Sequence, residues 1–253
     1  MYRFPALFIL AACAGDATWA PETWGEEYLE RGIPAETFED GCSATFEHFF
    51  VRVESADLVD ADGAVVAGVS EAMAFDMSLA GPHPMPEVLA PAGFYDTARF
   101  VIASGDSAVA GNADHAELDG HAVRAVGALT CGADTVSFDL SFDGRTTYDC
   151  APEDLTLSKS GPVTSQLTVH GDHLFYDGLE NNDAVVRGQA WIDADANNDG
   201  TLTEDELRAT PVAPLGYDIG SQGDVADLFA FTESLMQGLG HIDGEGHCDT
   251  TRE

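Results

Sequence analysis

The stretch TVSFDLSFDGRTTYDC, residues 135–150, leaves little choice of local structure. Val136, Phe138, Leu140 and Phe142 fall on one face, and Ser137, Asp139, Ser141 and Asp143 on the other. A period of two fits a half-buried strand and no helix. Asp143-Gly144 then reads as a turn that sends the chain back. The same grammar recurs from residue 42 to about 170. SATFEHFFVRV is apolar on both faces and reads as a buried strand, and VDADGAVVAGV places Asp62-Gly63 between two apolar runs as a hairpin turn. LAPAGFYDTARFVIA, AVRAVGALTC and VTSQLTVH add further strands. Many short strands separated by turn signals predict an antiparallel β-sandwich over 42–170.

After His170 the pattern changes. NNDAVVRGQAWIDA can be helical, with Asn181, Asn182 or Asp183 as its cap, and TEDELRAT reads as a short helix. DVADLFAFTESLMQGLG carries Val225, Leu228, Phe229, Thr232, Leu235, Met236 and Leu239 on one helical face. Gly238 and Gly240 stop it. The fold class expected is mostly β with α, a sandwich followed by a helical segment over 171–253.

Between those helices lies DANNDGTLTEDE, residues 195–206. A calcium loop of the EF-hand kind needs oxygen ligands at positions 1, 3, 5, 7, 9 and 12 and a glycine at 6. A register starting at Asp193 fails, because Asn198 falls on the glycine position. The register starting at Asp195 works. It gives Asp195, Asn197, Asp199, the Thr201 carbonyl, Thr203 and Glu206 as ligands, with Gly200 at the turn and apolar Leu202 at position 8. A hard cation wants several oxygens, so the tight loop supplies the first and the exit helix swings in a bidentate carboxylate. Thr203 to Glu206 is also a capping box, which starts that helix in the right place. No second such loop is found, so Leu202 must pack on the rest of the protein or on a partner. Extracellular calcium modules work at Kd of roughly 10⁻⁴–10⁻³ M, which suits constant loading and a structural role.

Two histidine pairs flank this segment. His170 and His173 end the last strand, and His241 and His247 sit in the glycine-rich tail GLGHIDGEGHC. Together they form a candidate copper or zinc site, with Asp172, Asp243 and Glu245 as extra or outer groups. The alternative is four histidines that hydrogen-bond to acidic loops. HExxH is absent, and His48, His83, His115 and His121 read as ordinary.

Composition bounds the partners. The net charge is -35, with 45 Asp plus Glu against 10 Lys plus Arg. Such a field repels phosphate backbones and favours cations, so nucleic acid is excluded and metal ions are the expected partners. No nucleophile elbow, phosphate loop or dinucleotide fingerprint occurs. The reading is non-enzymatic, with a metal-dependent hydrolase as a third class.

The N-terminus MYRFPALFILAACAGD has one Arg and a short apolar run, which suits a cleaved signal peptide over residues 1–12. LAAC resembles the bacterial lipobox. The resemblance implies lipidation at Cys13, a lipid anchor to the membrane, and an outer or cell-surface lipoprotein. A soluble periplasmic or secreted protein is the alternative. Residues 13–41 then read as a lipidated N-terminus and acidic tether. The remaining Cys42, Cys131, Cys150 and Cys248 suggest two disulfides with three pairings possible. Cys131 and Cys150 lie on separated strands and are not expected to pair, while Cys248 is expected to pin the tail.

Residues 191–207 resemble EF-hand calcium-binding proteins. YLERGIPAETFEDG, GALTCGADTVSFD, LTVHGDHLFYDGL and GHIDGEGHC together resemble exported bacterial EF-hand-containing lipoproteins, a group with no established activity. LAPAGFYDTARFVI and the histidines give a further likeness, to methanobactin-associated periplasmic copper-binding β-sandwich proteins. The resemblances imply calcium in the loop and copper as a candidate second ion.

Overall fold

A computed structural model describes residues 15–179 and 183–253. The expected signal peptide and the lipidation site Cys13 lie outside the described residues, as do Asn181 and Asn182. The chain runs through β1 (Asp16–Trp24), helix α1 (Glu26–Arg31) and the long β2 (Cys42–Val59). Short strands β3 (Val65–Val69), β4 (Met73–Asp76), β5 (His83–Pro84), β6 (Val88–Pro91) and β7 (Gly93–Phe94) follow. Then come β8 (Thr97–Ala103), β9 (Val109–Ala110), β10 (Val123–Cys131), β11 (Asp134–Phe142), β12 (Arg145–Cys150), β13 (Thr156–Leu157) and β14 (Val163–Val169). The final part holds α2 (Gln189–Ala194), β15 (Thr201–Leu202), α3 (Glu204–Ala209), α4 (Leu228–Met236), β16 (Gly240–Ile242) and β17 (Cys248–Arg252).

These strands make a mostly β molecule. One sheet has the order β16-β14-β1-β5, with β6 also on β1. The largest runs β15-β11-β10-β2-β8-β12-β17, and β13 pairs with β7 in a small two-stranded sheet. The alternation of β11 is realised as expected: Val136, Phe138, Leu140 and Phe142 are buried. Trp19 of β1 approaches Phe100 of β8 with ring centroids 6.4 Å apart, which joins the two sheets through one core. Burying large rings between facing sheets removes the most apolar area per residue, and such contacts dominate a sandwich core.

Three local readings change. Asp16–Trp24, expected to be part of a tether, is a strand inside the first sheet, paired in parallel with β14 and antiparallel with β6. Its inward residues are Ala17, Trp19, Pro21 and Thr23. Asp143-Gly144 does not fold the chain back on itself. Phe142 pairs with Val123 on β10 and Arg145 pairs with Ala103 on β8, so one extended run bends and changes partner. Gly144 takes φ 129°, a conformation a side chain would resist. The third concerns residues 171–253, expected as a helical segment. They return strands to both sheets: β15 beside β11, β16 beside β14, and β17 beside β12.

The disulfides are Cys42–Cys131 and Cys150–Cys248. Each joins residues directly opposite on neighbouring strands. Cys131 and Cys150 are not paired with each other, and Cys248 holds the tail to β12, both as expected. Two such bridges are the mark of a chain that folds in an oxidising compartment. Among the described residues, no helix is long and apolar enough to cross a membrane.

Candidate metal centre

The acidic loop sits between α2 and α3. Gly200 takes φ 79°, the left-handed turn that its position demands. The side chains of the acidic residues point inward, onto the loop's own amides. Asp195 accepts from the Asp199 and Gly200 N–H at 3.2 and 2.9 Å, and Asn197 accepts from Asp199 N–H at 2.8 Å. Asp199 accepts from Thr201 N–H at 2.8 Å. Thr203 and Glu206 close a reciprocal capping box at the start of α3.

The loop is not left unbraced. Thr201 and Leu202 form β15 and pair with Ser137 and Phe138 of β11, so the sheet edge takes the place of a second loop. Leu202 is buried there. Trp191 on α2 packs against Phe138 and Phe175 with centroids 5.5 and 4.8 Å away. Helix α2 begins at Gln189, later than the expected cap. The Asp40 carboxylate accepts from Gly188 and Gln189 N–H at 2.9 and 2.8 Å, a distant side chain serving the helix start.

On the other side of Phe175, three of the four candidate histidines converge. His170 follows the last residue of β14 and opens a 3-10 turn, Gly171–Phe175, which carries Asp172 and His173. A Cβ on Gly171 would strike the buried Leu29 side chain, which would have to shift. His241 lies in β16 directly opposite Thr168 of β14. The His170 and His241 rings are 4.5 Å apart, and each lies 5.5 Å from the His173 ring. His247 stays outside. Its side chain is 85% exposed and contacts Asp249 at 3.2 Å. It shares only the rim of a cleft with His173 and His241.

Carboxylates surround the trio. His170, Asp172 and His173 can offer one ligand atom each, all within 4.8 Å of one another, and so can His170, His241 and Glu245. Glu26 contacts His170 Nδ1 at 3.1 Å and does so from a left-handed φ of 48°. That conformation costs a non-glycine residue of order 1–3 kcal/mol and persists only where its surroundings enforce it. The Tyr176 hydroxyl donates to Asp172 Oδ2 at 3.1 Å, and its ring lies 4.5 Å from that of His173. Sequence reasoning missed Glu26 and Tyr176. Tyr176 was within reach, a few residues past His173. Glu26 was not, because only the pairing of β1 with β14 brings it near.

The electrostatics follow from burial. Burial lowers His173 first, and the neighbouring His170 and His241 lower it further, to about 3. His241 is lowered by burial and then by His170. Burial also disfavours charged His170, but the Glu26 hydrogen bond and charge, with Asp172 and Glu245, outweigh it and raise its pKa. His170 N–H groups accordingly face Glu26 through Nδ1 and the Gly244 carbonyl through Nε2, the latter at 3.3 Å. Burial raises Asp172 and keeps the Tyr176 hydroxyl protonated. Among the described residues, His241 Nδ1, Asp172 Oδ1 and His83 Nε2 are the buried side-chain polar atoms without a hydrogen-bond partner. Two of the three belong to this one cluster. Such atoms are rare in folded proteins because each forfeits its hydration, and a bound water or ion is the usual partner.

His173 and His241, whose charged forms burial disfavours, offer neutral imidazole nitrogens beside Asp172 and Glu245, a donor set that suits a transition metal. His170 joins it by giving up its contact with Glu26 or with the Gly244 carbonyl. His48 and His121 pair with Asp76 and Asp143 at 2.7 and 2.9 Å, and His115 contacts Asp114 at 3.4 Å. None of these three joins the cluster.

Fold and site together define a mostly β, disulfide-bridged protein with a His/Asp/Glu group able to hold a metal ion. No family model and no curated protein matches the chain. Among solved structures, MbnP from Methylosinus trichosporium aligns over 85% of this chain and 93% of that chain, with a TM-score of 0.38 and 12% identity. A likeness of that degree assigns neither family nor activity.

Proposed function

We propose that the chain is an exported metal-binding protein. A copper or zinc ion is held by His170, His173 and His241, and a calcium ion in the 195–206 loop supports the scaffold. The observation that carries the reading is a pair of ligand groups that share His170, one with Asp172 and His173 and one with His241 and Glu245, in which Asp172 Oδ1 and His241 Nδ1 are buried without a partner. By the usual affinity order, copper(II) binds such a set more tightly than zinc. Calcium is assigned to the loop on the spacing of its oxygen-bearing residues, and β15 ties that loop to the sheet. A lipid on Cys13 would keep the protein at the membrane surface.

Elemental analysis after dialysis against copper, zinc and calcium tests this directly. The expected result is about one copper or zinc and about one calcium per chain, the two lost independently. Calcium at about a hundred times its Kd adds about 2.7 kcal/mol. For a chain of this size that raises Tm by roughly 5–10 °C. Asp195→Ala should erase the calcium-dependent rise while leaving copper uptake intact. A Tm that ignores calcium in the wild-type protein would refute the scaffold role, and absence of bound copper and zinc would refute the histidine centre.

A further inference from the structure

We propose that Asp172 is an anionic oxygen ligand that makes the centre selective for divalent ions, copper(II) over copper(I), and that Tyr176 positions it. This rests on the histidine centre proposed above. Asp172 is buried, and its two oxygens are in different situations. Oδ2 is occupied by the Tyr176 hydroxyl at 3.1 Å, while Oδ1 is buried with no partner. An acceptor desolvated and left unpaired costs free energy that only a cation or a donor can return. The ligand atoms available nearby are those of His170 and His173, within 4.8 Å. Tyr176 therefore fixes one oxygen and leaves the other aimed at the shared space.

The choice of ion follows from softness and charge. Copper(I) is soft and favours thiolate or thioether sulfur, whereas carboxylate oxygen is hard. One cleft at the cluster is lined by Trp24, Glu26, Glu27, His170, Asp172 and Glu245, among others, without a sulfur. The other reaches Cys248, whose sulfur is committed to Cys150. Asp172, Glu26 and Glu245 supply more negative charge than a monocation needs. They neutralise a dication better, and low-polarity surroundings enlarge the difference.

The test is a pair of titrations on the full exported chain. Copper(II) is added in air, and copper(I) anaerobically against a colorimetric copper(I) chelator. Wild type, Asp172→Asn and Tyr176→Phe are compared, with melting curves to confirm folding. Asp172→Asn should weaken copper(II) by about 30–100-fold, leave copper(I) within about threefold, and shift the copper(II) paramagnetic resonance spectrum. Tyr176→Phe should weaken copper(II) about tenfold, the lower end for an outer partner. If Asp172→Asn leaves copper(II) affinity within about threefold, or weakens both ions alike, the selectivity proposal fails while the histidine centre stands. If wild type binds neither ion, the histidine centre itself fails.

Discussion

Alanine at His173 or His241 should lower copper(II) affinity on the order of a thousandfold, about 4 kcal/mol, and replacing both should abolish binding. The expectation comes from geometry. His170, His173 and His241 form a triangle of rings 4.5–5.5 Å apart, so each removal deletes an imidazole nitrogen for which only the harder oxygens of Asp172 or Glu245 stand near. Loss of an outer partner typically costs 10–100-fold, and loss of a ligand should exceed that. His247→Ala is the internal control. His247 was grouped with the others by sequence, yet its side chain is exposed and turned to Asp249. It should stay within about threefold of wild type. Competition titration with a copper(II) indicator measures all of these. Equal losses at His247 and His241 would mean that binding occurs on the exposed side of the cleft and not at the triangle.

Breaking the Cys150–Cys248 bridge should have the second large effect. The bridge closes a loop with a sequence separation of 98 residues. In the chain-entropy view a bridge of that span contributes about 4–5 kcal/mol, against a total stability of roughly 5–15 kcal/mol. Cys150→Ser with Cys248→Ser should therefore lower the urea midpoint steeply. Copper(II) affinity should fall as well, because β17 and β16 share the tail that carries His241. The tail is otherwise held by the pairing of β17 with β12 and of β16 with β14, and by Gln166 N–H to Asp243 at 2.9 Å and Gly244 N–H to Thr168 at 2.9 Å. Cys42→Ser with Cys131→Ser is the comparison. Its separation of 89 predicts a similar stability loss. It lies against Gly188 at the start of α2, so it should disturb the acidic 195–206 loop and spare copper. If both double variants lose stability but neither loses copper affinity, the tail does not need the bridge to present His241.

The parts legible in the sequence are those where one physical constraint dominates a short window. β11 was legible because its inward face is apolar at every second position, which a buried face of a sheet requires. The left-handed turn in the acidic loop was legible because a glycine stands there, and Gly200 does adopt that conformation. β1 was not legible. Its inward set includes Pro21 and Thr23, which dilute the alternation, and a proline in mid-strand argues against a sheet position. Asp143-Gly144 looked like a hairpin because the local signal for a turn is the same whether the chain reverses or changes partner. The histidines could be nominated but not assembled. Their meeting depends on β16 pairing with β14, and no local pattern encodes which distant strand a tail will choose. Glu26 depended on the same long-range step through β1.

The central claim is one metal ion among His170, His173 and His241. Diffraction from copper-loaded crystals at the copper absorption edge tests it most directly. The account predicts one strong anomalous peak per chain, between those three rings and next to Asp172. A peak beside His247 and Asp249, or none at the triangle with copper demonstrably bound, would contradict it.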